Sequence, residues 1–348
     1  MADLQVIKAL FTIGKYFALT PSSPTDARSS RFEKIYRYAV FTMYTFFKFF
    51  TGYIRIPVYA TLPKIQLFFI FVIEITIWIH SYYTTMVATN ERWYQLIDNL
   101  SRIETQPSRD SHFLAVLVPL LAFGVVKLTQ MYYWNEVFGF VSLGVYFVEV
   151  VQIYSQFFYI TVTCNVLRMV LARYQYQNLL RRTQTIPTRC IHNLDELKRL
   201  SRTVEDLFGW SNLLNICYTV QRIMVYCHYW IMSYKVLSVS KIRNFYLVQN
   251  VELVLFLVNI CEVTYFLFRI LTWFQMGILW MILSCNAVDL EYEKILRSFN
   301  KNKALYYMVL QMRPRFTAAR FFTIKKSTIF SILNTIVTFT LVIIQIDL

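Results

Sequence analysis

"FFTIKKSTIFSILNTIVTFTLVIIQI" runs from Phe321 to Ile346, with only Asp347 and Leu348 after it. Lys325 and Lys326 stand near its start, and no charged residue follows until Asp347. About 20 apolar residues cross the roughly 30 Å of hydrocarbon in a bilayer. Residues 325–346 therefore read as a transmembrane helix with its lysines at one interface. Gln345 is the oddity of its last turn. An amide facing lipid leaves donors and acceptors unsatisfied, at a cost of several kcal/mol. Two placements avoid that cost: interfacial water at the helix end, or a water-filled axis.

The rest of the chain fits a membrane setting. It is 57% hydrophobic and 18% aromatic, and only 16% of it is charged. That balance is too apolar for a soluble domain. Six further runs have the required length: 37–56, 65–87, 112–132, 140–167, 210–234, and one inside 246–285. The last run, about 60 Å long as a helix, exceeds a single crossing. We take 262–285 as the sixth span and 246–260 as its extracellular lead-in. The expected fold is an all-α membrane protein of seven transmembrane helices.

Basic residues orient it. With the N-terminus inside, 26 of the 35 lysines and arginines fall on the inner side and six on the outer side. Lys48, Arg222 and Arg269 fall within spans. The positive-inside rule then favours a cytoplasmic N-terminus and an extracellular C-terminus. The formal net charge of +15 fits anionic headgroups and topology better than nucleic acid, which is not an expected partner. The sequon Asn99-Leu100-Ser101 falls in the cytoplasm and is expected to be unused.

The expected organisation is a cytoplasmic segment 1–35, spans one to six within 36–285, a cytoplasmic linker 286–324 and span seven within 325–348. Leu4, Ile7, Leu10, Phe11 and Ile13 form one face of a short helix, expected to lie on the membrane surface. Leu194, Leu197, Leu200 and Val204 recur at helical spacing within the extension at about 171–209. Val288, Tyr292, Ile295 and Phe299 do the same after span six. Either these helices are solvated or they pack into an intracellular domain.

Catalytic signatures are missing. There is no HExxH, Walker A loop or GxSxG elbow, and the four histidines are scattered. The six cysteines form no CxxC pair and lie mostly in apolar runs, as small buried hydrophobes do. Neither an enzyme nor a metal or cofactor site is expected. A DRY-like triplet after span three and an NPxxY in span seven, marks of rhodopsin-type receptors, are also missing.

The terminal helix carries a specific resemblance. Thr338-Phe339, five hydrophobic-run positions and Gln345-Ile346 resemble the C-terminal Thr-Tyr, five hydrophobics, Gln-Phe signature of insect gustatory receptors, with Phe339 in place of Tyr and Ile346 in place of Phe. "FFTIKKS" (Phe321–Ser327) is similar to that family's approach to its last span, and "FALTP" (Phe17–Pro21) is similar to a weaker Gly-Leu-x-Pro pattern. Size, span number, inverted topology and the absence of a tail agree along the whole chain.

The resemblance implies a tetrameric, tastant-gated, non-selective cation channel in the plasma membrane, with span seven lining the pore. On that reading Val342, Gln345 and Ile346 narrow the closed pore, and Asp347 favours cations at its mouth. The ligand, a sugar or a bitter compound, is expected in the outer half of the bundle. Candidates there are Gln66, Phe69 and Glu74 on span two; Gln130, Tyr133 and Trp134 on span three; and Tyr146, Glu149 and Gln152 on span four. Spans five and six add Tyr226, Tyr229, Trp230, Glu262 and Tyr265. Expected partners are the tastant, membrane lipid, permeant cations and related receptor subunits. The alternatives are an accessory or co-receptor subunit that conducts only with a partner and, less well supported, a G-protein-coupled receptor of opposite topology.

Overall fold

Helices account for nearly all of the chain's regular structure in the computed structural model, which describes residues 2–22, 30–60, 64–87, 90–103, 113–138, 140–183, 187–243, 277–300 and 302–347. In order they are α1 (Ala2–Gly14), α2 (Arg31–Tyr59), α3 (Lys64–Tyr82), α4 (Asn90–Arg102), α5 (Phe113–Phe138), α6 (Phe140–Thr183) and α7 (Pro187–Arg243). Next come α8 (277–298), α9 (Lys303–Leu310), a two-stranded hairpin of β1 (Thr317–Ala318) and β2 (Phe322–Thr323), and α10 (Lys326–Asp347). A short π-helical stretch, Tyr83–Val87, extends α3.

Six of the expected spans fall wholly or almost wholly in one helix each: α2, α3 with its extension, α5, α6, α7 and α10. The remaining span, 262–285, lies outside the described residues up to 276, and its residues from 277 on fall in α8. Among the described residues, Lys64–Val87 and Phe147–Arg181 are long and apolar enough to cross a membrane. Leu117–Thr129 and Lys326–Val342 are shorter apolar helical stretches.

Two helices far exceed a bilayer. With 44 and 57 residues, α6 and α7 are about 66 and 85 Å long. Leu194, Leu197, Leu200 and Val204 of α7 are buried, as are Val288, Tyr292 and Ile295 of α8. They share one core with Trp93, Leu96 and Leu100 of α4 and Tyr174 of α6. The helical periodicities thus meet one another in a packed domain rather than lying solvated. Arg313 staples the segment after α9 onto α8. It donates two 3.0 Å hydrogen bonds to the Asp289 carboxylate and lies 2.8 Å from Glu293. The Asp289 carboxylate raises the Arg313 guanidinium above its ordinary range.

The N-terminal helix is placed differently from the expectation. Val6, Ile7, Leu10 and Phe11 are each no more than 4% exposed and sit inside the protein core, not on a lipid surface. Phe11 meets Trp93 edge-on at 5.2 Å, and Trp93 in turn meets Phe208 at 5.5 Å. Amphipathicity shows that a face is buried but not what buries it. Beyond α1 the chain turns at Ala18 with φ 56°, a left-handed conformation that glycine adopts more easily. Tyr159 locks this turn by donating to the Leu19 carbonyl at 2.9 Å.

The hairpin is seated on α7. Gly209 leaves room for it: a Cβ there would lie 3.2 Å from the Ala319 nitrogen and 3.5 Å from the Thr317 oxygen. Thr317 donates to the Glu205 carboxylate, and Arg320 reaches Asp206 at 3.2 Å. Ala319 and Arg320 take positive φ at the turn. The Lys325 amide donates to the Thr328 hydroxyl at 3.1 Å, so the hairpin leads directly into the capped start of α10.

Candidate functional site

Five charged side chains meet between apolar helices. Lys48 and Arg55 lie seven residues apart, on one face of α2. Lys48 pairs with Glu74 of α3, and Arg55 lies 3.6 Å from the same carboxylate. Arg55 also donates to Glu149 of α6 at 3.0 Å, and Arg222 of α7 donates to the other Glu149 oxygen at 2.7 Å. Arg222 further donates to the Tyr218 hydroxyl at 3.0 Å. These five side chains are only 15–22% exposed. The cluster therefore ties four helices together in the half of the bundle that the charge count puts outside.

Of the expected ligand residues, Glu74 and Glu149 are brought together, although through arginine and lysine bridges and not by direct convergence. Gln152, one turn from Glu149 on α6, is 1% exposed, and Gln156 one turn further is fully buried. All four of their amide atoms lack a hydrogen-bond partner in the structure. Gln66 is half-buried. Phe69 packs edge-on against Phe339 at 4.7 Å, so it joins α3 to the terminal helix. The side chains of Gln130, Tyr133, Trp134, Tyr146, Tyr226, Tyr229 and Trp230 lie outside the described residues, as do Glu262 and Tyr265 altogether. The three cations had escaped assignment. Their signal was available: an ionisable residue within a span marks a partner or a cavity by default.

The terminal helix has three faces. Ile329 and Ile332 pack on the core, and Phe339 meets Phe69 on the same side. Phe330, Leu333, Val337 and Ile344 form an exposed apolar stripe. Between these faces runs a second exposed stripe: Ser327, Ser331, Asn334, Thr338, Leu341 and Gln345. At 100° per residue, these six span a sector of about 80°. Val342, 42% exposed, borders it. The side chains of Ile346 and Asp347 lie outside the described residues.

The exposed stripe of this helix is mostly polar. Hydroxyls hide in apolar surroundings by bonding back along their own helix, as Ser331 does to the Ser327 carbonyl at 3.3 Å and Thr335 to that of Ser331 at 2.9 Å. Asn334 and Gln345, both exposed, each carry an amide with two donor hydrogens and an acceptor oxygen. Water or a second copy of the helix meets their needs, whereas lipid does not.

No family model and no curated relative matches the chain. Solved structures do. The insect olfactory receptor OR5 from Machilis hrabei superposes with a TM-score of 0.66 at 12% identity, over 98% of this chain and 97% of that one. The same receptor in complex with eugenol gives 0.62 at 10% identity, over 99% and 100%. Full coverage in both directions leaves no large part of either chain outside the shared architecture. This chain has the fold of an insect olfactory receptor.

Proposed function

We propose that the protein is a gustatory receptor subunit, a tastant-gated, non-selective cation channel of the plasma membrane in which four copies of α10 surround the pore. The observation that carries this reading is the exposed, mostly polar stripe from Ser327 to Gln345 on a largely apolar helix. Four such stripes turned to one axis make a wet path, and their apolar flanks remain for lipid and neighbouring helices. The receptor fold supports the reading. So does the eugenol bound by the olfactory receptor, a small-molecule ligand on the same architecture. The taste assignment rests on the resemblance of Thr338–Ile346 and Phe321–Ser327 to the gustatory receptor pattern.

The test is expression of the chain in cells that lack related receptors, with a panel of sugars and bitter compounds. A ligand-evoked, cation-carried current supports the reading. Current only when a related subunit is co-expressed assigns an accessory role. Tags at Met1 and after Leu348 should be reached from the inside and the outside respectively. Two tags on one face would remove the seven-span arrangement.

A further inference from the structure

The basic residues of α2 divide between two sides of the helix. Arg37, Lys48 and Arg55 lie within about 20° of one another and pair with Glu33, Glu74 and Glu149 inside the bundle. Arg31 and Lys34 lie on another side, are exposed, and among the described residues pair with no carboxylate. Glu33, the acid of this helix, is engaged elsewhere. Its carboxylate accepts from the Ser22 amide at 3.1 Å, from the Ser22 hydroxyl at 3.3 Å and from Arg37 at 3.1 Å. Arg31 and Lys34 head an exposed stripe that Ile35, Tyr38, Phe49 and Tyr53 continue, all six within a sector of about 100°. The last four are 63–76% exposed. From Arg31 to Tyr53 the stripe is about 33 Å long, close to the roughly 30 Å of a bilayer's hydrocarbon, and it carries cations only at its start.

We infer that the start of this stripe seats an anionic phospholipid, its phosphate held between Arg31 and Lys34 and an acyl chain laid along Ile35, Tyr38 and Phe49. Side chains three apart on a helix have Cβ atoms about 5–6 Å apart, a spacing that one phosphodiester bridges. From Tyr38 to Phe49 is about 16 Å, which matches the hydrocarbon of one leaflet, about half of 30 Å. Charge chooses the headgroup: two cations without a carboxylate favour a lipid of net negative charge over a zwitterionic one. The apolar continuation chooses the rest of the molecule. An acidic peptide or a soluble phosphate would meet the cations and leave the exposed rings in water. The inference rests on the receptor reading only in taking α2 as a membrane span, and not on conduction or taste.

The test adds a tryptophan reporter to the full chain in mixed detergent–lipid micelles. Tyr38→Trp reports near the cations and Phe49→Trp further along the stripe, and the signal of the parent chain's seven tryptophans is subtracted. The probes are phosphatidylglycerol and phosphatidylcholine with brominated acyl chains, which quench tryptophan on contact. Each cation near a lipid surface contributes about fivefold in affinity. Tyr38→Trp should therefore be half-quenched at a phosphatidylglycerol fraction about tenfold or more below that of phosphatidylcholine. Adding Arg31→Gln/Lys34→Gln, both at exposed positions, should leave the protein monodisperse and bring the two lipids within about twofold. Salt at 1 M, where the Debye length is about 3 Å, should narrow the difference likewise. Phe49→Trp should be quenched by both lipids. Equal quenching of Tyr38→Trp by the two lipids would overturn the inference. So would a preference untouched by the double variant, because other cations would then hold the lipid. Quenching of Phe49→Trp with none at Tyr38→Trp would mean that protein, such as a second copy of the chain, covers this part of the stripe, and would overturn it too. No quenching at either position would overturn it together with the membrane placement of α2. A chain that shows the preference but never conducts would keep this inference and lose the channel reading.

Discussion

Replacing Glu149 by glutamine tests whether the charge cluster holds the bundle together. Glu149 touches both α2 and α7, at 3.0 Å from Arg55 and 2.7 Å from Arg222. At an effective dielectric constant of about 20, each contact carries about 5–6 kcal/mol of attraction. Most of that is offset by the loss of hydration of the partners. Glutamine keeps the shape and one acceptor but removes the charge, leaving Arg55 and Arg222 enclosed without it. Breaking one partner of such a pair costs about 3–5 kcal/mol. At about 2.1 cal/mol/K per residue, unfolding of 348 residues has an entropy near 0.7 kcal/mol/K, so the melting temperature should fall by about 4–7 °C. The assay is the fraction of monodisperse protein that survives a heat ramp in detergent. The double variant Glu149→Gln/Arg222→Met is the decisive arm. It removes both charges, so its loss should fall short of the sum of the single losses by about 1.5 kcal/mol or more. Additivity within about 0.5 kcal/mol would show that Arg222 and Glu149 do not depend on each other, and the cluster would lose its structural meaning.

Other perturbations address the pore and its support. Ile346→Ala should raise current in the absence of ligand, and Gln345→Ala should change unit conductance; patch-clamp recording of both unaltered would place the gate on another helix. Asp347→Asn should lower inward unit current at low ionic strength and change little at high salt, where the Debye length is about 3 Å at 1 M. Equal currents at low salt would assign cation preference elsewhere. Gly209→Val should displace the hairpin, because the added carbon meets backbone and not a flexible side chain. Ligand-evoked current should fall while ligand-induced thermal stabilisation persists. Loss of both together would mean that the substitution had disturbed the whole fold.

Hydropathy alone located most of the helices because a bilayer imposes a length and helices must satisfy their own backbone. The buried face of the packed domain around α4, α7 and α8 was legible for a similar reason: Leu194, Leu197, Leu200 and Val204 can share a face only in a helix. What one helix meets is a different kind of information. The partners of Lys48 and Arg222 depend on the register of α2, α3, α6 and α7 in space, which no local spacing encodes. The same holds for α1. Its apolar face was evident, but Trp93, which covers Phe11, lies more than eighty residues away. Phe69 was readable as an aromatic of span two, whereas its contact with Phe339 required the terminal helix to lie beside α3. Chemistry was thus easier to anticipate than adjacency.

The continuity of α7 has a mechanical consequence. Arg222, in the charge cluster, and Gly209, under the hairpin, lie on one unbroken helix, 13 residues and about 20 Å apart. Such a segment behaves as a stiff rod over this length. A tilt of about 5° at Arg222 moves the Gly209 end by nearly 2 Å, the scale of helix shifts that switch other assemblies. The hairpin, held to that rod by Glu205 and Asp206, leads within a few residues into Lys326. Pulling at one end of the lever therefore reaches the foot of the terminal helix without any bond along the way having to break.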